Sequence, residues 1–156
     1  MNTFMGEGNL KRNAEGEERA EPSAEERETM ALTPYAERGS RYASSRLPGA
    51  IFKLKVDNTH PLGYGYPNHY FTIKRNGSRY AYLPGGWNVG IIESEDSYVS
   101  GVAGEDAKAN LAKSMVFGVE NMGRGSVVYM ADNPLFRAFW ENGKLFVANA
   151  LFLVGQ

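Results

Sequence analysis

The loop Asp57-Asn58-Thr59-His60-Pro61-Leu62-Gly63-Tyr64-Gly65-Tyr66-Pro67-Asn68-His69 gathers the groups of this chain best equipped for chemistry: a carboxylate and both of its histidines. Asp57, His60 and His69 together could hold a zinc ion, since carboxylate and imidazole are ordinary zinc ligands. Their spacing matches no compact pair on one helix or strand, so the reading assigns no metal ligand. Asp57 and Asn58 are expected to cap a strand end and His60 to hydrogen-bond loop carbonyls. Cysteine is absent, which removes thiolate chemistry and disulfides. A serine triad would have to run through one of the two histidines. Ser100 and Ser126 are available as nucleophiles, yet neither sits in a Gly-x-Ser-x-Gly elbow, and Ser126 reads as the opening of a buried strand. Glu93, Glu95 and Asp96 could pair as acid and base but fall in what reads as an exposed loop. No residue is assigned a catalytic role; a small stand-alone hydrolase using His60 with Asp57 and a serine or a bound metal is the alternative.

A second constellation is aromatic. Tyr64, Tyr66, Tyr70, Tyr80, Tyr82 and Trp87 lie close in sequence to Arg75 and Arg79. Such rings stack sugars or bases, or engage a protein surface; they also suit the wall of a strand pair, the preferred reading. A sugar- or peptide-binding module using Tyr64, Tyr66, Tyr82 and Trp87 is a further alternative. Arg137, set among Leu135, Phe136, Phe139 and Trp140, is expected to be partly buried and paired with Asp132 or Asp57. The candidate binding set is therefore Asp57, His60, Tyr64, Tyr66, His69, Trp87 and Arg137. Gly63-x-Gly65 and Gly123-x-Gly125 lack the third glycine of a dinucleotide fingerprint, and no Walker lysine follows either.

The elements that would position these groups follow from periodicity and punctuation. Residues 50–56 read as a half-exposed strand after the Pro48-Gly49 turn, and 57–68 as a loop broken by Pro61, Gly63, Gly65 and Pro67. Residues 70–74 and 79–83 flank Asn76-Gly77 and predict a hairpin. A short strand is expected at 89–93. Residues 105–113, acidic at the start and basic at the end, suit a helix, and 115–119 and 126–131 read as strands. Asn133 as N-cap and Pro134 at the first helical position predict a helix through Trp140, and residues 145–154 a closing helix buried on nearly all sides.

The chain has 156 residues, 17 basic and 18 acidic side chains and a net charge of -1, a balance without the basic footprint of a nucleic-acid binder. Residues 1–30 carry four basic against eight acidic side chains, a net -4, which leaves the remainder at +3. With almost no large apolar residues between Leu10 and Met30, residues 1–31 read as a disordered charged linker, and 32–156 as the folded part. Met1–Asn9 lacks the pattern of a secretory signal. No apolar run reaches the ~20 residues of a membrane span. Strands mixed with helices place the folded part in the α/β or α+β class.

One ordered set of segments resembles a known family: Pro48-Gly49-Ala50-Ile51-Phe52-Lys53, Asp57 to Gly65, Asn88-Val89-Gly90, Gly123-Arg124-Gly125, Ala131 to Trp140, and Leu145 to Gly155 with Asn149-Ala150. Together they are similar to the C-terminal end of large bacterial zinc carboxypeptidase-like proteins, across roughly residues 32–156. In that family a carboxypeptidase A-type domain is followed by one similar to class I glutamine amidotransferases. The resemblance implies an α/β, flavodoxin-like three-layer domain, here partial and with a β-rich middle. It further implies an accessory role beside a catalytic peptidase domain, or self-association, and a parent that is exported or periplasmic. The peptidase needs a His-x-x-Glu zinc pair; here His60 is followed by Pro61-Leu62-Gly63 and His69 by Tyr70-Phe71-Thr72. The amidotransferase needs a cysteine. The family's catalytic residues and its zinc thus have no positions in this chain, and the expectation is a non-catalytic module without a cofactor of its own. An incomplete layered domain is further expected to leave apolar surface for a partner to cover.

Overall fold

Alternation is the simplest signal in the chain and it builds the central strand. In β2 (Gly49–Val56) Ala50, Phe52, Leu54 and Val56 are buried while Lys53 and Lys55 face solvent, the two-residue period of a sheet with one face on the core. The computed structural model describes residues 12–13, 28 and 31–155. Around β2 lie β1 (Arg12–Asn13), α1 (Tyr35–Ser44), β3 (His69–Lys74), β4 (Arg79–Tyr80), β5 (Trp87–Ile92), β6 (Tyr98–Val102), α2 (Glu105–Leu111), β7 (Ser114–Met122), β8 (Gly125–Met130) and α3 (Lys144–Phe152).

Six strands form one sheet in the order β3-β2-β5-β7-β8, with β6 also on β2. The near end of β2 pairs with β6 and its far end with β5. Register shifts at Ile51/Phe52 and around Gly90 act as bulges that bend their strands, and the sheet curls into a half-barrel. Every pairing among the described residues is antiparallel. The mixed α/β class expected from the sequence holds. The flavodoxin-like three-layer arrangement is not what is observed, because such a layer needs parallel strands joined by helical crossovers, and here β7 and β8 join by a tight turn.

The core closes around β7, whose Met115 to Val119 are buried throughout. Phe146 of α3 stacks on Phe117 at 4.3 Å and on Tyr66 at 4.2 Å, and meets Tyr70 edge-on at 5.1 Å. Beside these rings lies a buried ion pair: Lys74 Nζ donates to Asp132 Oδ1 (3.0 Å) and to the Ser78 carbonyl (3.1 Å), and Thr72 Oγ1 donates to Asp132 Oδ2 (2.8 Å). Both charges are almost wholly out of solvent, so each depends on the other for compensation.

Several expectations are corrected. Asn76-Gly77 does not close a hairpin: β3 pairs with β2, and β4 with β1. Ser78 N donates to Asn76 Oδ1 (3.2 Å), an Asx-type turn that lets Lys74 reach the Ser78 carbonyl. Residues 134–140 are not a helix but one 3₁₀ turn, Phe136–Ala138. Arg137 and Ala138 take φ of 51° and 60°, the left-handed region in which a right-handed helix cannot continue. Asn133 Oδ1 still accepts from Leu135 N, and the Trp140 indole N–H, donating to both Tyr70 Oη and the Phe71 carbonyl at 3.1 Å, holds the segment to β3. The closing helix exists, but Phe146 and Asn149 are its buried residues, whereas Leu151 and Phe152 are 68% and 72% exposed. Neither α1 nor β6 was assigned from the sequence. The linker expected over 1–31 falls largely outside the described residues; Arg12–Asn13 pairs with β4. No helix among the described residues is long and apolar enough to cross a membrane.

Candidate functional site

Two polar side chains and one glycine shape the loop after β2. Asn149, buried on α3, donates both amide hydrogens to loop carbonyls, to Leu62 O at 2.9 Å and Tyr64 O at 2.8 Å. Asn58 Nδ2 donates to Tyr66 O (3.1 Å). Gly63 lets the chain fold back on itself: a Cβ there would lie 2.3 Å from Asp57 O. Pro61–Gly63 forms a 3₁₀ turn whose N-cap is His60.

The cap settles the chemistry of that histidine. Leu62 N donates to His60 Nδ1 at 3.0 Å, so Nδ1 is an acceptor and the neutral ring carries its proton on Nε2. Burial lowers the His60 pKa below its ordinary value, only partly offset by Asp57. His60 is thus a neutral N–H donor, and the reverse of what a triad needs, in which an acid holds Nδ1–H and Nε2 is the free base. Asp57 is engaged elsewhere: Oδ1 accepts from Thr59 N (3.0 Å) and Thr59 Oγ1 (2.6 Å). The Thr59 hydroxyl is the main cause of its lowered pKa, opposed by burial.

This loop walls one side of a cleft of about 620 Å³. Its floor and far wall follow from strand register. Trp87 opens β5 opposite Val119 of β7, and Asn121, two residues on, faces Ser126 of β8, so these side chains share one end of the sheet. Asp57, His60, Trp87, Asn121, Arg124 and Ser126 all line the cleft, with Val154 and Gly155 after α3 at its rim. The Trp87 ring is 46% exposed and tilted against the His60 ring at 5.5 Å. Ser126 Oγ donates to Asn121 Oδ1 (2.9 Å), which turns the hydroxyl away from the part of a nucleophile beside a base.

Of the candidate binding set, the cleft therefore unites Asp57, His60 and Trp87. His69 sits at the start of β3, its Nδ1 3.2 Å from Asn68 Oδ1, outside the lining. Tyr66 belongs to the core: its hydroxyl donates to Asn142 O and accepts from Phe146 N, and burial pushes its pKa up to about 12. Tyr64 is exposed and contributes its carbonyl to Asn149. Arg137 is corrected outright. It is exposed, its guanidinium lies 5.3 Å over the Phe136 ring, and the expected partner Asp132 is committed to Lys74. Ser100 is exposed on β6. Among the described residues no group of three His, Asp or Glu side chains could hold a metal ion.

Asn121 and Arg124 carry no mark of a cleft in the sequence, and Ser126 reads there only as a strand opening. Gly123-Arg124-Gly125 marked a turn, but nothing local indicated what the turn faced. No family model, curated protein or solved structure matches the chain.

Proposed function

We propose that this chain is a non-catalytic accessory module that works by recognition and packing, related to the C-terminal region of zinc carboxypeptidase-like proteins. The observation that carries it is the Leu62 N–His60 Nδ1 hydrogen bond. It makes the one histidine in the cleft a proton-bearing donor, unsuited as it stands to act as a general base or to ligate zinc through Nε2. The family relation rests on the ordered set of motifs from Pro48 to Gly155, not on the sheet, whose antiparallel strands depart from the amidotransferase-like layer. The chain also lacks both the His-x-x-Glu pair and a cysteine, so peptidase and amidotransferase chemistry have no residues to run on. The exposed Leu151 and Phe152 favour association with a catalytic peptidase domain or with a second copy.

A blocked-peptide assay for release of C-terminal amino acids, run with and without added zinc, tests this reading. The expected result is no turnover. Release of an amino acid that disappears in His60→Gln would overturn it.

A further inference from the structure

We propose that the cleft between the Asp57–Pro61 loop, Trp87 and the β7–β8 turn is a binding site for a short neutral saccharide. It rests on the non-catalytic reading above and gives that recognition an object. The argument begins with charge. Asp57 and Arg124 bring one charge of each sign to the lining, and His60 is neutral, so the cleft as a whole offers no net attraction to a phosphate or a carboxylate.

Shape and donor set point the same way. The half-exposed Trp87 indole supplies a flat apolar platform. Its electron-rich face complements the weakly positive C–H face of a pyranose ring, as it does other positive edges. Its lining includes residues of both polarities: His60, whose Nε2 bears the ring proton, and Arg124 are donors, Asp57 is an acceptor through the oxygen that Thr59 does not hold, and Asn121, whose Oδ1 accepts from Ser126, has amide hydrogens to give. Sugar hydroxyls donate and accept at once, and such a mixed set satisfies them where a single-sign set would not. At about 620 Å³ the cleft lies within the ~300–1,000 Å³ range of small-ligand sites, with room for a mono- or disaccharide. The loop is held in place by Asn149 and Asn58, so little ordering is needed on binding.

The test is a glycan array of neutral oligosaccharides. It is followed by calorimetric and tryptophan-fluorescence titration of the full chain with the neutral disaccharides, and with inorganic phosphate and an N-acetyl dipeptide as comparison arms. The proposal expects saturable binding of at least one neutral saccharide. That binding should perturb Trp87 emission and the amide resonances of residues 57–60 and 121–126, and weaken about tenfold in Trp87→Ala. Because Trp87→Ala could loosen the β5 end, Arg124→Gln at the exposed turn serves as the second variant and should weaken binding several-fold at unchanged melting temperature. Four outcomes overturn the proposal: no neutral saccharide binds; one binds without perturbing these residues; phosphate or the dipeptide occupies the cleft more tightly; or neither variant weakens binding. Chromatography of the bound saccharide separates this inference from the reading beneath it. A sugar bound and then cleaved keeps the site and ends the non-catalytic reading. A chain that neither binds saccharides nor releases amino acids ends only the site.

Discussion

Two irregular segments flank the same core, and they hold their shape by opposite means. The loop 57–68 has its backbone satisfied by side chains: Asn149 reaches it from α3, and its own Asn58 and His60 do the rest. Asp57 and His60 remain at the edge of the loop, where they line a cleft. The segment 132–143 sends its polar groups inward: Asp132 to Lys74 and Thr72, the Trp140 indole to Tyr70 and Phe71. It pins β3 to the end of β8, and the side chains it leaves at the surface, Arg137 and Phe139 among them, line no part of the cleft. An irregular stretch held by one outside amide and by bonds within itself can present chemistry at its edge, whereas one that spends its side chains on the core becomes a bracket. This is the backbone accounting that every buried polar group imposes.

The contrast breaks most visibly at the bracket. Lys74→Met leaves the Asp132 carboxylate buried without its counter-charge and should cost about 3–5 kcal/mol in urea unfolding. The double variant Lys74→Met/Asp132→Leu should recover a large part of that, since a well-packed apolar pair can replace a buried ion pair. Recovery would identify the pair as a compensated charge and not a unique source of stability. Asn149→Ala strikes the loop by removing both bonds to Leu62 O and Tyr64 O, and about 2–3 kcal/mol is expected. Hydrogen exchange should then accelerate at residues 60–66 while β2 and β7 stay protected. Equal acceleration throughout would mean that the loop is not a separately braced unit. Trp140→Phe keeps an aromatic ring but removes the indole donor and the second ring, and should lower stability by about 2 kcal/mol without touching the cleft.

The smallest effect is in pH. His60 has a folded pKa below its ordinary value because of burial, so between the two values the unfolded chain binds more protons than the folded one. Stability then rises with pH across that window. Present in full above the ordinary histidine value, the contribution is lost as pH falls through it toward the lower folded value. Protonation also makes Nδ1 a donor, which breaks the bond to Leu62 N. Melting curves between neutral and mildly acid pH should show a decline that His60→Gln removes.

Period-two patterns survived translation into structure because burial enforces them: Phe52, Leu54 and Val56 have only one face to choose, and β2, β5, β7 and β8 lie close to where alternation and turn residues put them. The acidic-to-basic run at 105–113 likewise forms α2, a residue or two shorter. Asn76-Gly77 misled because the same dipeptide serves an Asx turn when a lysine needs the next carbonyl. Asn133-Pro134 misled because a cap signal says how a helix begins, not whether Arg137 and Ala138 will continue it. The helix α1 exposes Tyr35 and Tyr42, so no core-facing stripe announced it. At the cleft, Asp57 and His60 were legible as a pair of neighbours in one loop. Their meeting with Trp87 and with Asn121, Arg124 and Ser126 depends on the register of β5 on β7 and of β7 on β8. That register is a property of the whole sheet.

Everything functional turns on which ring nitrogen of His60 carries the proton. Long-range proton–nitrogen correlation NMR on the intact chain reads it directly. At neutral pH the account predicts a proton on Nε2, an unprotonated Nδ1 accepting from the Leu62 amide, and titration below the ordinary histidine value. A proton on Nδ1, or titration above that value, would make His60 a competent base and contradict the account.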